Sequence, residues 1–319
     1  MVESLLDPVV LFFLAGLVAG VAKSDLRLPE SIYDILSIYL LLAIGMKGGI
    51  ELHESPIAHV IAPALGTISL GVTIPFIAYA IVRRLGKFSR PDAAAIAAHY
   101  GSVSAVTFAV VLSFLTQLGV AYEQFVTVLL VLLEIPAIGI GMFIARWRAG
   151  TGTLRVRTMM HEVFLGKSMY LLVVGLVVGY VLGPHGAQPV KLVFVDVFRG
   201  ALAFFLLEMG LVASNRLADL KRVGPFLVAF GVLMPILSAV FGCLIGIITG
   251  LSVGGTTVLA TLAGSASYIA APAAMRVAVP QANPTYYITV SLGITFPFNL
   301  IVGIPLYYRL ALVLHGILG

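Results

Sequence analysis

The sequence is short of charge. Only 10% of its 319 residues are Asp, Glu, Lys or Arg, against about 25% in an ordinary soluble domain, while hydrophobic residues make up 60%. Water is therefore not the main solvent of the fold. Cysteine is almost missing as well: the single Cys243 excludes an intrachain disulfide and a thiolate metal cluster, so stability has to come from helix packing. Enzyme patterns are equally scarce. His53-Glu54 is followed by His59, whereas the zinc-protease pattern requires its second histidine at position 57, which is Ile57. No Gly-rich phosphate loop ending in Lys-Ser or Lys-Thr is present. Direct ATP coupling is excluded on that ground, and energy for any transport would come from an ion gradient.

What is present is a series of apolar runs, each about the 20 residues that a helix needs to cross roughly 30 Å of hydrocarbon. Ten runs are expected to span: about 8 to 22, 30 to 51, 57 to 82, 92 to 117, 123 to 146, 167 to 183, 191 to 213, 224 to 250, 255 to 276 and 284 to 313. The first has Glu3 and Asp7 before it in place of a basic n-region, so it reads as a retained helix and not as a cleaved signal peptide. With ten spans the loops alternate in side. Of the 19 Lys and Arg, only Lys191 and Arg309 fall on one side, Lys47 and Arg199 lie within or near apolar runs, and the others share the opposite side. The positive-inside rule then puts both termini outside a bacterial inner membrane and the 148–166 linker in the cytoplasm. The net charge of +5 is an orientation signal, and no nucleic-acid partner is expected.

A shift of 163 residues (264 − 101) aligns Gly101-Ser102-Val103-Ser104 with Gly264-Ser265-Ala266-Ser267, and the same shift aligns Met46 with Met209. Spans one to five then correspond to six to ten. Five is odd, so the second copy enters the membrane upside down. The expected fold is an all-α polytopic membrane protein of ten spans in two inverted five-helix repeats, residues 1–147 and 167–319, with broken, crossing helices four and nine. Paired broken helices in inverted repeats mark secondary carriers, whose sites lie near the midplane. Unwound backbone frees N–H and C=O groups that hydrocarbon cannot satisfy, so breaks persist where protein, substrate or ions occupy them; the plainer alternative is that Gly and Ser here pack helices closely.

Half-helix N-termini suit an anion, and hydroxyls and exposed carbonyls suit sodium. Gly101, Ser102, Val103, Ser104, Gly264, Ser265, Ala266 and Ser267 are thus the expected substrate-binding residues, with Ser104, Thr107, Glu134, Ser267 and Asn299 as candidates for ion coupling. Neither break contains Lys or Arg, which points to a small anion held by backbone and hydroxyls. A buried charge in a membrane costs at least about 2.5 kcal/mol, so Glu134 stands out as a proton or sodium group, against a hydrogen-bonded structural glutamate. Glu208 is expected to be structural, Arg199 to snorkel or pair with Asp196, Lys47 and Glu51 to form a local pair four residues apart, and His99 to be a packing residue. Asn299, four residues beyond Thr295, fits either a cation ligand or a bond between helices.

Several short stretches, specific only together, complete the pattern: Leu28-Pro29-Glu30, Ile44-Gly45 with Gly48-Gly49, Tyr122-Glu123, Ile135-Pro136-Ala137, Phe198-Arg199-Gly200, Met209-Gly210, Gly254-Gly255 and Ala282-Asn283-Pro284. In these the chain resembles, nearly end to end, the sodium-dependent bicarbonate transporters of the SbtA type. The resemblance implies a gate part and a core part, with bicarbonate and sodium held where the broken helices cross. It matches Gly101, Val103, Ser104 and Thr107 in span four and Ser265, Ser267, Ile269 and Pro272 in span nine. It implies a homo-oligomer, a trimer, in the lipid bilayer, and no cofactor besides sodium as coupling ion. Two departures stand out. Tyr268 occupies the place of an acidic residue, and the linker is short and basic where cyanobacterial members have a long acidic insert, which argues against a PII-like partner. The competing expectations are a proton-driven carrier of another small anion, such as a short carboxylate, and a membrane sensor that binds an anion without passing it.

Overall fold

The computed structural model describes residues 7–147 and 165–318, and every regular element among them is helical. The first half runs α1 (Pro8–Val21), α2 (Glu30–His53), α3 (Ile57–Arg84), α4 (Arg90–Gly101), α5 (Ala105–Gln117) and α6 (Val126–Trp147). The second runs α7 (Lys167–Gly186), α8 (Phe198–Leu217), α9 (Leu220–Ile248), α10 (Val253–Ala263), α11 (Ala270–Ala278) and α12 (Pro284–Leu318). Most of the 148–166 linker lies outside the described residues.

Eight helices are long and apolar enough to cross a membrane, counting α4 and α5 as one span from Arg90 to Gln117; α1 and α10 are apolar but shorter. Along the run at 255 to 276, where a broken helix is expected, the chain forms two pieces, α10 of 11 residues and α11 of 9, because it unwinds from Gly264 to Ile269. The expected span at 191 to 213 starts later, at Phe198, after a 3-10 turn at Gln188–Val190 and a π turn at Leu192–Asp196. α12 contains two further π segments, Thr289–Thr295 and Asn299–Gly303, which widen the helix where its hydroxyl and amide side chains face inward.

Polarity is arranged for lipid. On α3, Ile57, Ile61, Leu65 and Ile68 form an exposed stripe at helical spacing, and α7 exposes Val177, Val178 and Val181. The interior holds hydroxyls: Ser102, Ser104, Thr107, Thr261, Ser265, Ser267 and Thr295 are all buried. Apolar contact gains nothing over lipid in such a medium, so helices associate through close packing of small residues. α2 lies against α7 and α1 against α8 in the two most extensive helix pairs. A Cβ on Gly45 or Gly49 of α2 would overlap the carbonyl oxygens of Leu172 or Leu176, and one on Gly179 of α7 would overlap that of Met46.

Gly49→Val and Gly179→Val are each expected to cost ~1–3 kcal/mol by overpacking, seen as a lower midpoint of thermal unfolding in detergent. Gly139→Ala, whose Cβ meets nothing within 4 Å, should leave the midpoint unchanged or raise it. Equal losses at all three positions would show that the α2–α7 contact is not limiting.

Candidate functional site

α4 stops at Gly101 because the next residues leave helical space: Ser102 has φ −87, ψ 170 and Ser104 has φ −105, ψ 109. Gly101 is itself required, since a Cβ there would run into the Pro75 ring of α3. The helix restarts at Ala105 under a side-chain cap. Ser104 Oγ accepts from Thr107 N at 3.1 Å and from Thr107 Oγ1 at 3.0 Å, and it donates to the Tyr268 hydroxyl at 3.2 Å. These three bonds use its one proton and both lone pairs. In the second break Ser267 Oγ accepts from Ala271 N at 3.2 Å, in the first turn of α11.

Each break also pairs with the other. Ser104 N donates to Ser265 Oγ at 3.1 Å, and Ser267 N donates to the carbonyl oxygen of His99 at 2.9 Å. Ser265 Oγ passes its own proton to Leu262 O at 2.8 Å. α12 closes the surround: Asn299 Nδ2 donates to Gly264 O at 2.9 Å while Asn299 Oδ1 accepts from Tyr307 at 2.7 Å. Thr295 Oγ1 donates to Gly231 O at 2.7 Å, which makes the Tyr100 hydroxyl the donor in its 2.6 Å bond to Thr295.

Between the breaks lies a cavity of about 10 Å³, room for about one water molecule. Ala105 and Ala270, the first residues of α5 and α11, both line it, so two positive helix ends open on the same space. Val103, Ser104, Ser267, Tyr268, Glu134 and Ser168 line it too. Glu134 reaches it from α6, buried, with no hydrogen bond or ion pair among the described residues. An ionised carboxylate so placed is costly until a proton or a cation joins it.

Of the residues expected from sequence, Val103, Ser104, Ser267 and Glu134 thus meet at one cavity. Ser102, Ser265 and Ala266 are buried beside it without lining it, and Ser102 Oγ has no hydrogen-bond partner. Gly101, Thr107, Gly264 and Asn299 support the breaks from outside. Asn299 makes the bond between helices that was one of its two expected roles. His99 packs as expected, Nδ1 2.6 Å from Ala95 O and the ring 4.6 Å from that of Tyr287, although its Nε2 lacks a partner. Lys47 and Glu51 form the expected pair at 3.8 Å.

Arg199 behaves otherwise than expected. Its guanidinium donates to Ser113 Oγ at 2.7 Å, and Ser113 donates to the buried Asp7 carboxylate at 3.1 Å. Asp7 is anchored in turn by capping α1 at Val9 N, and among the described contacts it takes, through Ser113, the place expected for Asp196. Sequence reasoning also passed over Ser168, which lies 64 positions (168 − 104) from the nearer break and carries no local pattern. Tyr268 was visible as a departure, but its bond to Ser104 was not.

A family model described as the Na+-dependent bicarbonate transporter superfamily matches residues 8–312. No curated protein matches the chain significantly. The match covers all the described helices but the end of the last, both breaks and the cavity between them. The chain is a transporter and not an enzyme, a multi-pass helical membrane protein, and it belongs to the Na+-dependent bicarbonate transporter superfamily.

Proposed function

We propose that the protein is a secondary active symporter that takes up bicarbonate together with sodium by alternating access at the crossing of its broken helices. The observation that carries this is the convergence of the α5 and α11 N-termini on a cavity that also holds the partnerless Glu134. The helix ends and hydroxyls supply donors for a small anion, and the carboxylate supplies the charge that a cation would neutralise. No step requires a basic clamp, in keeping with the absence of Lys and Arg from both breaks.

Alternating access is supported by a ten-span inverted repeat, with α1 and the α10–α11 pair counted as spans. Under the 163-residue shift the N-caps Ser89 and Ser252 correspond, Ser104 falls on Ser267, and the bounds of α3 and α4 fall on those of α9 and α10 to within one residue. The close helix pairs α1–α8 and α2–α7 likewise exchange under it. The positive-inside pattern puts the termini outside the bacterial inner membrane, and the family resemblance supports a trimer. Glu134 also suits a second reading, a proton-driven carrier of a short carboxylate, since either a proton or sodium would neutralise it.

Uptake of labelled bicarbonate into proteoliposomes at fixed pH is expected to rise with an inward sodium gradient. Uptake of a short carboxylate that follows pH and ignores sodium would favour the second reading; no sodium-stimulated uptake by folded protein would overturn the first. Glu134→Gln should leave the protein folded while abolishing the sodium stimulation. Ser104→Ala removes the N-cap of α5, worth ~1 kcal/mol, and Ser267→Ala removes the bond to the first turn of α11; uptake at limiting bicarbonate should fall about tenfold in each. Normal transport by both would remove the crossing from the mechanism.

A further inference from the structure

A second cavity lies at the end of the bundle away from the Lys- and Arg-rich loops. It measures about 150 Å³ and sits between α2, α5, α6 and the start of α8, space for roughly five water molecules at ~30 Å³ each. Two cations line it, Lys47 of α2 and Arg199 of α8, together with the hydroxyl residues Ser113, Thr116 and Thr127. Lys47 is held only loosely by Glu51 at 3.8 Å. Arg199 is aimed by the Ser113–Asp7 relay, which uses one of the five N–H donors of its guanidinium. A planar fork of that kind matches the two oxygens of a carboxylate-like anion.

This cleft is linked to the site already described by a chain of shared walls. Ile44, Ala109 and Leu202 form its floor and are shared with a tight apolar constriction that also includes Val106 and Phe205. That constriction shares Leu41, Ala105 and Ile269 with the cavity between the breaks. Three spaces therefore follow one another along the interface of α2, α5 and α8: charged, apolar, then polar.

We propose that the charged cleft is the outer anion vestibule of the transport path, where Arg199 captures a small oxyanion before it passes the Ile44–Ala109–Leu202 constriction to the crossing of the breaks. The inference rests on the transport reading for its direction and on the geometry for its place. Lys47 adds a second positive charge across the cleft. The buried Asp7 orients Arg199 through Ser113 and leaves its other donors for the anion.

The test uses the full-length protein. Cys243 is buried, so a cysteine introduced at the exposed Thr116 position can be followed by its own reaction with membrane-impermeant methanethiosulfonates, one anionic and one cationic. The ratio of anionic to cationic labelling rates is expected to fall about tenfold when Arg199→Gln is added, and bicarbonate should slow the anionic reaction only while Arg199 is present. In proteoliposomes, Arg199→Gln should raise the KM for bicarbonate about tenfold with the maximal rate kept, and Arg199→Lys, which keeps the charge and loses the fork, should recover only part of that loss. An unchanged labelling ratio, or an unchanged KM in a protein that transports, overturns the vestibule. If the parent protein passes no bicarbonate, the proposed function fails, and the labelling ratio still decides whether the cleft collects anions.

Discussion

A backbone N–H or C=O left unpaired in hydrocarbon costs several kcal/mol, and the unwound stretches near Ser104 and Ser267 avoid that cost largely by pairing with each other. Each break supplies an acceptor to the other: the Ser104 amide donates to Ser265, and the Ser267 amide to the His99 carbonyl. Much of the remaining fold follows from having to enclose such a crossing. The Arg90–Gln117 span is almost wholly buried, so it requires helices on every side. Pro75 and Ala137 approach Gly101 closely enough to exclude any side chain there. The π turns of α12 bring Asn299 to the Gly264 carbonyl that the break leaves bare and Thr295 to the Gly231 carbonyl that Pro235, lacking an N–H, cannot pair.

The helices that do not take part in the crossing are joined differently. α1 with α8 and α2 with α7 meet backbone to backbone through glycines, in contacts that tolerate no Cβ. Such pairs lose a great deal when they separate and suit rigid units. The surface between these pairs and the broken helices has another character. Leu41, Ile44, Ala109, Leu202 and Ile269 face it, with voids in series along it and the Asp7–Ser113–Arg199 relay as a polar tie across it. Smooth apolar side chains interlock little, so displacement along this surface costs less than displacement within either glycine-packed pair.

The sequence makes the spans legible because hydrocarbon thickness fixes run length, and it makes the breaks legible because Gly-Ser-Val-Ser and Gly-Ser-Ala-Ser recur at one offset. Bounds were less readable. α8 begins at Phe198, after the run at 191 to 213 has started, since a 3-10 turn and a π turn intervene where hydropathy is already high. Contacts between distant positions were not readable at all. Asp7 and Ser113 are 106 positions apart, and Ser113 and Arg199 are 86, so Arg199 looked like a residue for Asp196 nearby. The Asn299 amide was equally ambiguous until the unwound Gly264 carbonyl gave it a partner.

The two breaks differ in backbone and in side chain, the first unwinding from Ser102 to Ser104 and the second from Gly264 to Ile269. Under the 163-residue shift Thr107 corresponds to Ala270, Ala105 to Tyr268, and Glu134 to Pro297. Extra hydroxyls therefore gather around Ser104, whose oxygen is saturated by Thr107 and Tyr268. Ser267 has only the Ala271 N–H to accept, and its proton has no acceptor among the described contacts. The one carboxylate at the cavity comes from the first half alone. The cavity thus sets one carboxylate, Glu134, beside two helix N-termini and beside the hydroxyls of Ser267 and Tyr268, whose protons meet no acceptor among the described contacts.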